Sequence, residues 1–181
     1  MTRAIILLGR GYEDVEAVYP LYRRLAAGVD TIAVSDRGGT VEPKLGIALD
    51  SVALSTVETP PDLLLIPGGW APDRLRVIPG IVEFVKTTAS SGAVVAAICH
   101  GPSLLIEADL VRGKRLTGWP SIVTDIRNAG GIFVDEGVVV DGQLVTARQP
   151  SDLPAFGEAL VHMMTRRSIL RKGHAALPVM A

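Results

Sequence analysis

Short runs of small and β-branched apolar residues punctuate the chain at Ala4–Leu8, Thr31–Ser35, Asp62–Ile66 and Val94–Ile98. Runs of this length, bounded by turn residues, are how strands read when both of their faces are buried. Between the first two, Val15, Val18, Tyr22 and Leu25 recur at spacings of three and four. That spacing predicts a helix from about Tyr12 to Ala27 with this stripe facing the core. Glu13, Asp14 and Glu16 sit at its positive end, Arg23 and Arg24 near its negative end, and Gly28 closes it. Pro20 falls inside the pattern and predicts a kink. Weak alternation from Thr40 to Leu54, around Pro43 and Gly46, predicts a small hairpin at a sheet edge. Helices are expected at Pro72–Val77, Ile81–Ser90 and Ser121–Ala129, and a strand at Arg115–Thr117. Asp141-Gly142 marks a hairpin turn within residues 138–146. Ser151 is placed to cap a last helix with Leu153, Phe156, Leu160 and Met164 inward. Strands that alternate with helices imply an α/β fold, a mostly parallel sheet with helices on both faces. Residues 1–170 read as one domain, and residues 171–181 as a tail free to move or to dock on a partner subunit.

Composition narrows this picture by exclusion. The chain has 181 residues, 48% of them apolar and 20% charged, which is enough to bury a sizeable core. Eighteen basic against nineteen acidic residues leave a net charge of -1, which supports neither nucleic acid nor an anionic membrane as a partner. One cysteine forms no internal disulfide, and the first apolar run is too short for a signal peptide. With no stretch long enough to span a bilayer, a cytoplasmic location is expected.

The chemistry concentrates at Cys99-His100-Gly101-Pro102-Ser103, between the run Val94–Ile98 and the helical Leu104-Leu105-Ile106. Pro102 suits a first helical turn, so a sharp strand-to-helix turn would hold the Cys99 side chain at a helix mouth. A helix N-terminus favours an anion, and the expectation is a lowered thiol pKa. A lone cysteine also reads as a small buried hydrophobe, and this stretch by itself leaves both readings open. One cysteine and three scattered histidines show no zinc spacing, so no metal is expected. Gly9-Arg10-Gly11 lacks the third glycine of a dinucleotide loop and Gly68-Gly69 lacks a phosphate-loop lysine, so no cofactor is expected.

Four separated segments, Tyr12-Glu13-Asp14-Val15-Glu16, Pro67-Gly68-Gly69-Trp70-Ala71-Pro72-Asp73, Ala97-Ile98-Cys99-His100-Gly101-Pro102 and residues 141–148, together resemble the ThiJ/PfpI family. The likeness is to its PfpI branch of intracellular proteases and general stress proteins, within the class I glutamine-amidotransferase-like superfamily. It implies a flavodoxin-like three-layer sandwich with Cys99 as nucleophile, Glu13 as the carboxylic acid beside it, and His100 adjacent. It also implies that an acid from a neighbouring subunit completes a Cys-His-acid triad. The matching position is Asp73, where other members carry Glu, one methylene longer. A homo-oligomer, dimer or hexamer, is the corresponding expectation.

On this basis a protonated Glu13 is expected to donate to a Cys99 thiolate, since two adjacent negative charges disfavour each other. Backbone N–H groups of Gly69 and His100 are placed to form an oxyanion hole, with Gly68 beside them. His100 reads either as a base, if the turn brings its ring to the sulfur, or as a rim residue. Tyr12, Trp70 and Trp119 are candidate pocket walls, with core packing an equal reading. The leading function is a cofactor-independent cysteine hydrolase acting on small carbonyl adducts or short peptides, with a role in stress protection. Against it stand a redox sensor that uses an oxidisable Cys99 and an isocyanide hydratase-like lyase.

Overall fold

The computed structural model of the chain describes residues 3–174, the side chains of 24–26 and 167–174 excepted. Six strands come first in chain order: β1 (Arg3–Leu7), β2 (Asp30–Ser35), β3 (Gly39–Val41), β4 (Leu49–Ala53), β5 (Leu63–Ile66) and β6 (Val94–Ile98). Four more follow: β7 (Arg115–Leu116), β8 (Ile132–Phe133), β9 (Val138–Asp141) and β10 (Leu144–Ala147). The helices are α1 (Asp14–Ala26), α2 (Ala71–Leu75), α3 (Pro79–Ser90), α4 (Pro102–Glu107), α5 (Val123–Asn128) and α6 (Leu153–His174).

Eight strands form one sheet in the order β3-β4-β2-β1-β5-β6-β10-β9. Its central pairs are parallel, and only the hairpins β3/β4 and β9/β10 at the two edges run antiparallel. The unbroken apolar runs of β1, β5 and β6 occupy the middle, where both faces are covered and every residue of β5 and β6 is buried. Helices α1 and α6 pack together, as do α2, α3 and α4, so the sheet is a middle layer between helices. β1 and β5 are neighbours whose chains leave in opposite directions along the sheet. Loops at the carboxyl ends of such strands form a crevice, and the cysteine turn opens beside it.

Most expected elements form with ends within a few residues. β7 and β8 make a separate parallel pair, and β8, only two residues long, carries too little pattern to announce itself. A 3-10 turn at Pro120–Ile122 opens the helix expected from Ser121. Ser151 does not cap the last helix: a 3-10 turn at Pro150–Asp152 precedes it, and the Ser151 hydroxyl accepts from the Gln149 side-chain amide at 2.9 Å. The inward stripe of Leu153, Phe156, Leu160 and Met164 is buried as expected. Residues 171–174 continue α6, and the rest of the expected tail lies outside the described residues. Among the described residues no helix is long and apolar enough to cross a membrane.

The expectation for α1 is reversed. Val15 and Tyr22 are 42% and 66% exposed, whereas Glu16 and Ala17 are fully buried. The helix turns its small residues to the sheet and its apolar stripe outward. Val15, Val18, Tyr19, Tyr22 and Ile47 line a groove of about 490 Å³ there. Arg24 and Leu25, also assigned from the sequence to this helix, have side chains outside those described.

Candidate active site

β6 ends at Ile98, and the backbone then turns so sharply that Cys99 adopts φ 61°, a left-handed conformation rare for a residue with a side chain. Such a backbone costs on the order of 1–3 kcal/mol and persists only where its surroundings enforce it. Here Cys99 N–H donates to the Ala147 carbonyl at 3.0 Å, Trp119 N–H donates to the Cys99 carbonyl at 2.8 Å, and Gly101 N–H donates to the Ile98 carbonyl at 2.8 Å. A Cβ on Gly101 would stand 2.5 Å from the Ile66 carbonyl oxygen, so only glycine lets the turn close against β5.

The thiol sits among four groups from three segments. His100 Nδ1 is 3.3 Å from Cys99 Sγ. The backbone N–H groups of His100 and Gly69 both point at the sulfur and favour its anion. Gly69 reaches this position at φ +74°, where a Cβ would collide with the Gly11 carbonyl oxygen. The fourth group is a carboxyl, and it belongs to Glu16 rather than Glu13. Glu16 interacts with the thiol, and its Oε2 accepts the Gly68 N–H at 2.8 Å. Glu13 instead holds the Lys44 ammonium at 2.8 Å at the edge of the site. The helical spacing of Val15, Val18 and Tyr22 points that stripe at the core, which turns Glu16 away from it. The small Ala17 and Pro20 on the same face were the available signal.

Electrostatics correct a second expectation. Burial, with the Glu16 carboxylate adding to it, pushes the Cys99 thiol up to about 12, against the opposing pull of the two N–H groups. Burial likewise pushes Glu16 up to about 7, with the Glu13 charge adding to the effect and the Gly68 N–H opposing it. Helix α4 has six residues and begins only at Pro102, and it does not offset this desolvation. The resting thiol therefore keeps its proton rather than standing as a thiolate. His100 is lowered, first by burial and then by the Lys44 charge, so the ring beside that thiol is neutral. The thiol holds its proton more tightly than this neutral ring does, so the ring can take it only as the sulfur bonds to another atom.

The remaining expected residues divide. Trp119 lies beside His100, ring centres 6.0 Å apart. Trp70 is 57% exposed and lies over Gly11, at the crevice. Tyr12 is no pocket wall: it is fully buried, and its hydroxyl donates to the Ile47 carbonyl. Gly68 is a spacer, since a Cβ there would meet Cys99 Cβ at 2.7 Å and Glu16 Oε2 at 2.9 Å. Asp73 lies on the exposed side of α2, and the ring of His100 is contacted in this chain by Cys99 and Ser121. Among the described residues no cluster of three or more His, Cys, Asp or Glu could hold a metal ion.

A parallel sheet with a cysteine on a strained strand-to-helix turn, faced by two N–H groups and an imidazole, defines an α/β protein with the backbone geometry of an elbow between strand and helix. The pattern of the DJ-1/PfpI family matches residues 2–163, and the chain belongs to that family. It is 42% identical over 164 residues to protein/nucleic acid deglycase 2 of Escherichia coli, covering 88% of this chain and 95% of that one. It is 39% identical over 166 residues to general stress protein 18 of Bacillus subtilis, covering 89% and 96%. The crystal structure of Drosophila melanogaster DJ-1beta superposes with a TM-score of 0.84 over 98% of this chain and 99% of that one, at 23% identity, a likeness of fold.

Proposed function

We propose that the chain is a cofactor-independent cysteine hydrolase of small carbonyl adducts, of the deglycase type. One observation carries this reading: Cys99 Sγ has His100 Nδ1 at 3.3 Å and also faces the N–H groups of Gly69 and His100. In the first step Sγ bonds to the carbonyl carbon, the thiol proton moves to Nδ1, and the carbonyl π pair becomes an oxyanion. The two N–H groups then hold the negative charge. The carbonyl then re-forms as the bond from that carbon to the amine breaks, and the imidazolium gives its proton to the departing nitrogen. Water adds to the remaining thioester, its proton returning through His100 to Sγ as the carbon–sulfur bond breaks. Deglycase names among relatives at about 40% identity support the substrate class.

Glu16, raised by burial to about 7, holds its proton below that pH and so adds no negative charge beside the sulfur there. The outward apolar stripe of α1 supports a homo-oligomer, in which Asp73 of a neighbour would be the competing partner for His100.

The test is mass spectrometry of the chain after separate exposures to methylglyoxal, a peptide aldehyde and peroxide, paired with turnover of a methylglyoxal–amine adduct. The methylglyoxal adduct on Cys99 is expected to form fastest, and Cys99→Ser is expected to abolish turnover with its melting temperature nearly unchanged. Undiminished turnover by Cys99→Ser would rule out this reading.

A further inference from the structure

We propose that Ser121 is the positioning residue of His100: its hydroxyl accepts the Nε2 proton and so presents the Nδ1 lone pair to the Cys99 thiol. The inference rests on the reading of His100 as the base for Cys99.

The two ring nitrogens have two different partners in the same chain. Ser121 Oγ lies 3.2 Å from Nε2, and Cys99 Sγ lies 3.3 Å from Nδ1. A neutral imidazole has one donor and one acceptor nitrogen, and the hydrogen bond at one decides the role of the other. With Nε2–H donating to the serine oxygen, Nδ1 is free to accept the thiol proton. The opposite tautomer would aim an N–H at a thiol that still holds its own hydrogen, and no proton could then leave the sulfur for the ring.

The backbone places Ser121 with little freedom. It sits in the 3-10 turn Pro120–Ile122, which is tied on one side by Trp119 N–H donating to the Cys99 carbonyl at 2.8 Å. On the other side Ile122 N–H donates to the Trp119 carbonyl at 3.0 Å, and the Ile122 side chain is buried. The same residue whose thiol reacts therefore anchors the turn that orients its base. The Trp119 ring lies beside His100, centres 6.0 Å apart and tilted by 31°.

The proton transfer balances within this group. As the S–H bond breaks and Sγ adds to a carbonyl carbon, Nδ1 gains the proton and the ring becomes an imidazolium. Its Nε2–H bond to the serine oxygen then becomes charge-assisted and stronger. Other groups that act on the ring are Lys44, which opposes the imidazolium, and Glu13, which favours it. These two form an ion pair at 2.8 Å, so neither supplies a directed acceptor at Nε2.

The test compares wild type, Ser121→Ala, Ser121→Thr and Asp73→Ala by the rate of Cys99 alkylation with iodoacetamide, followed by intact mass across neutral pH. Nitrogen-15 NMR of labelled histidine reads the His100 tautomer in the same samples. Ser121→Ala is expected to slow alkylation about tenfold at neutral pH, the worth of one hydrogen bond to a charged group, and to shift the ring from pure Nε2–H toward mixed tautomers. Ser121→Thr, which keeps the hydroxyl, should restore both, and Asp73→Ala reads the competing acid. Wild-type alkylation with an unchanged tautomer in Ser121→Ala would overturn the proposal. So would a loss that appears in Asp73→Ala and not in Ser121→Ala. Because iodoacetamide replaces the substrate, a tenfold effect of Ser121→Ala in a chain that turns over no methylglyoxal adduct would uphold the positioning role and remove the hydrolase reading.

Discussion

Glu16→Gln isolates the electrostatic core of this site. In the folded chain the carboxyl is fully buried: Oε2 accepts the Gly68 N–H at 2.8 Å, and Oε1 is buried with no hydrogen-bond partner among the described residues. Its pKa rises from the usual 4.5 to about 7, mainly through burial. A raised carboxyl pKa means the folded state binds the proton more tightly than the unfolded state does. Stability is therefore greatest while the group is protonated in both states, and it declines as pH rises from 4.5 to about 7. At about 1.36 kcal/mol for each tenfold change in proton affinity, the full decline is about 3 kcal/mol. Glutamine keeps an oxygen for the Gly68 N–H, has nearly the same volume, and does not titrate. The stability of Glu16→Gln relative to wild type should therefore increase by about 3 kcal/mol on going from acid to mildly alkaline pH. Urea unfolding of both proteins at a series of pH values measures that difference directly. The same variant should alkylate Cys99 at lower pH than wild type, because the carboxylate that raises the thiol is gone. A stability difference that stays constant with pH would refute the assignment of Glu16 as a buried, proton-holding acid.

Three further predictions follow from separate parts of the structure. Asp14 accepts from the backbone N–H groups of Leu45, Gly46 and Ile47 at 2.9, 2.7 and 2.6 Å; burial acts to raise its pKa, but these donors outweigh it and hold it lowered. Asp14→Ala should release the loop, read as new protease cleavage at residues 44–47, and unchanged digestion would contradict this. Gly69→Ala must carry a Cβ at φ +74° against the Gly11 carbonyl, so a loss of about 3 kcal/mol or more is expected by thermal melting. If the α1 stripe is an interface, the double change Val15→Asp with Tyr22→Asp should reduce the mass seen by light scattering to one chain, and a wild type that already runs as a monomer would sink that idea.

Periodicity over neighbouring residues was enough to find the central strands. Ile5, Leu64 and Val95 lie in runs whose length and β-branching leave few alternatives, because a strand covered on both faces needs apolar residues on both. Cys99 could likewise be placed at a strand-to-helix turn from Gly101 and Pro102, since those two residues restrict the backbone locally. What the local pattern does not contain is which side of a helix the rest of the molecule covers. The spacing of Val15, Val18 and Tyr22 is the same whether that stripe meets the sheet or faces outward. Only the packing of α1 against β2 and α6 decided that Glu16 would be the carboxyl at the thiol and Glu13 the partner of Lys44. The thiol's resting state was decided in the same way. A helix N-terminus can be read from a few residues, but the desolvation that outweighs it is the sum of everything folded around Cys99. The Ser121 hydroxyl is another case, because twenty-one residues separate it from His100 and only the folded turn after β7 brings the two together.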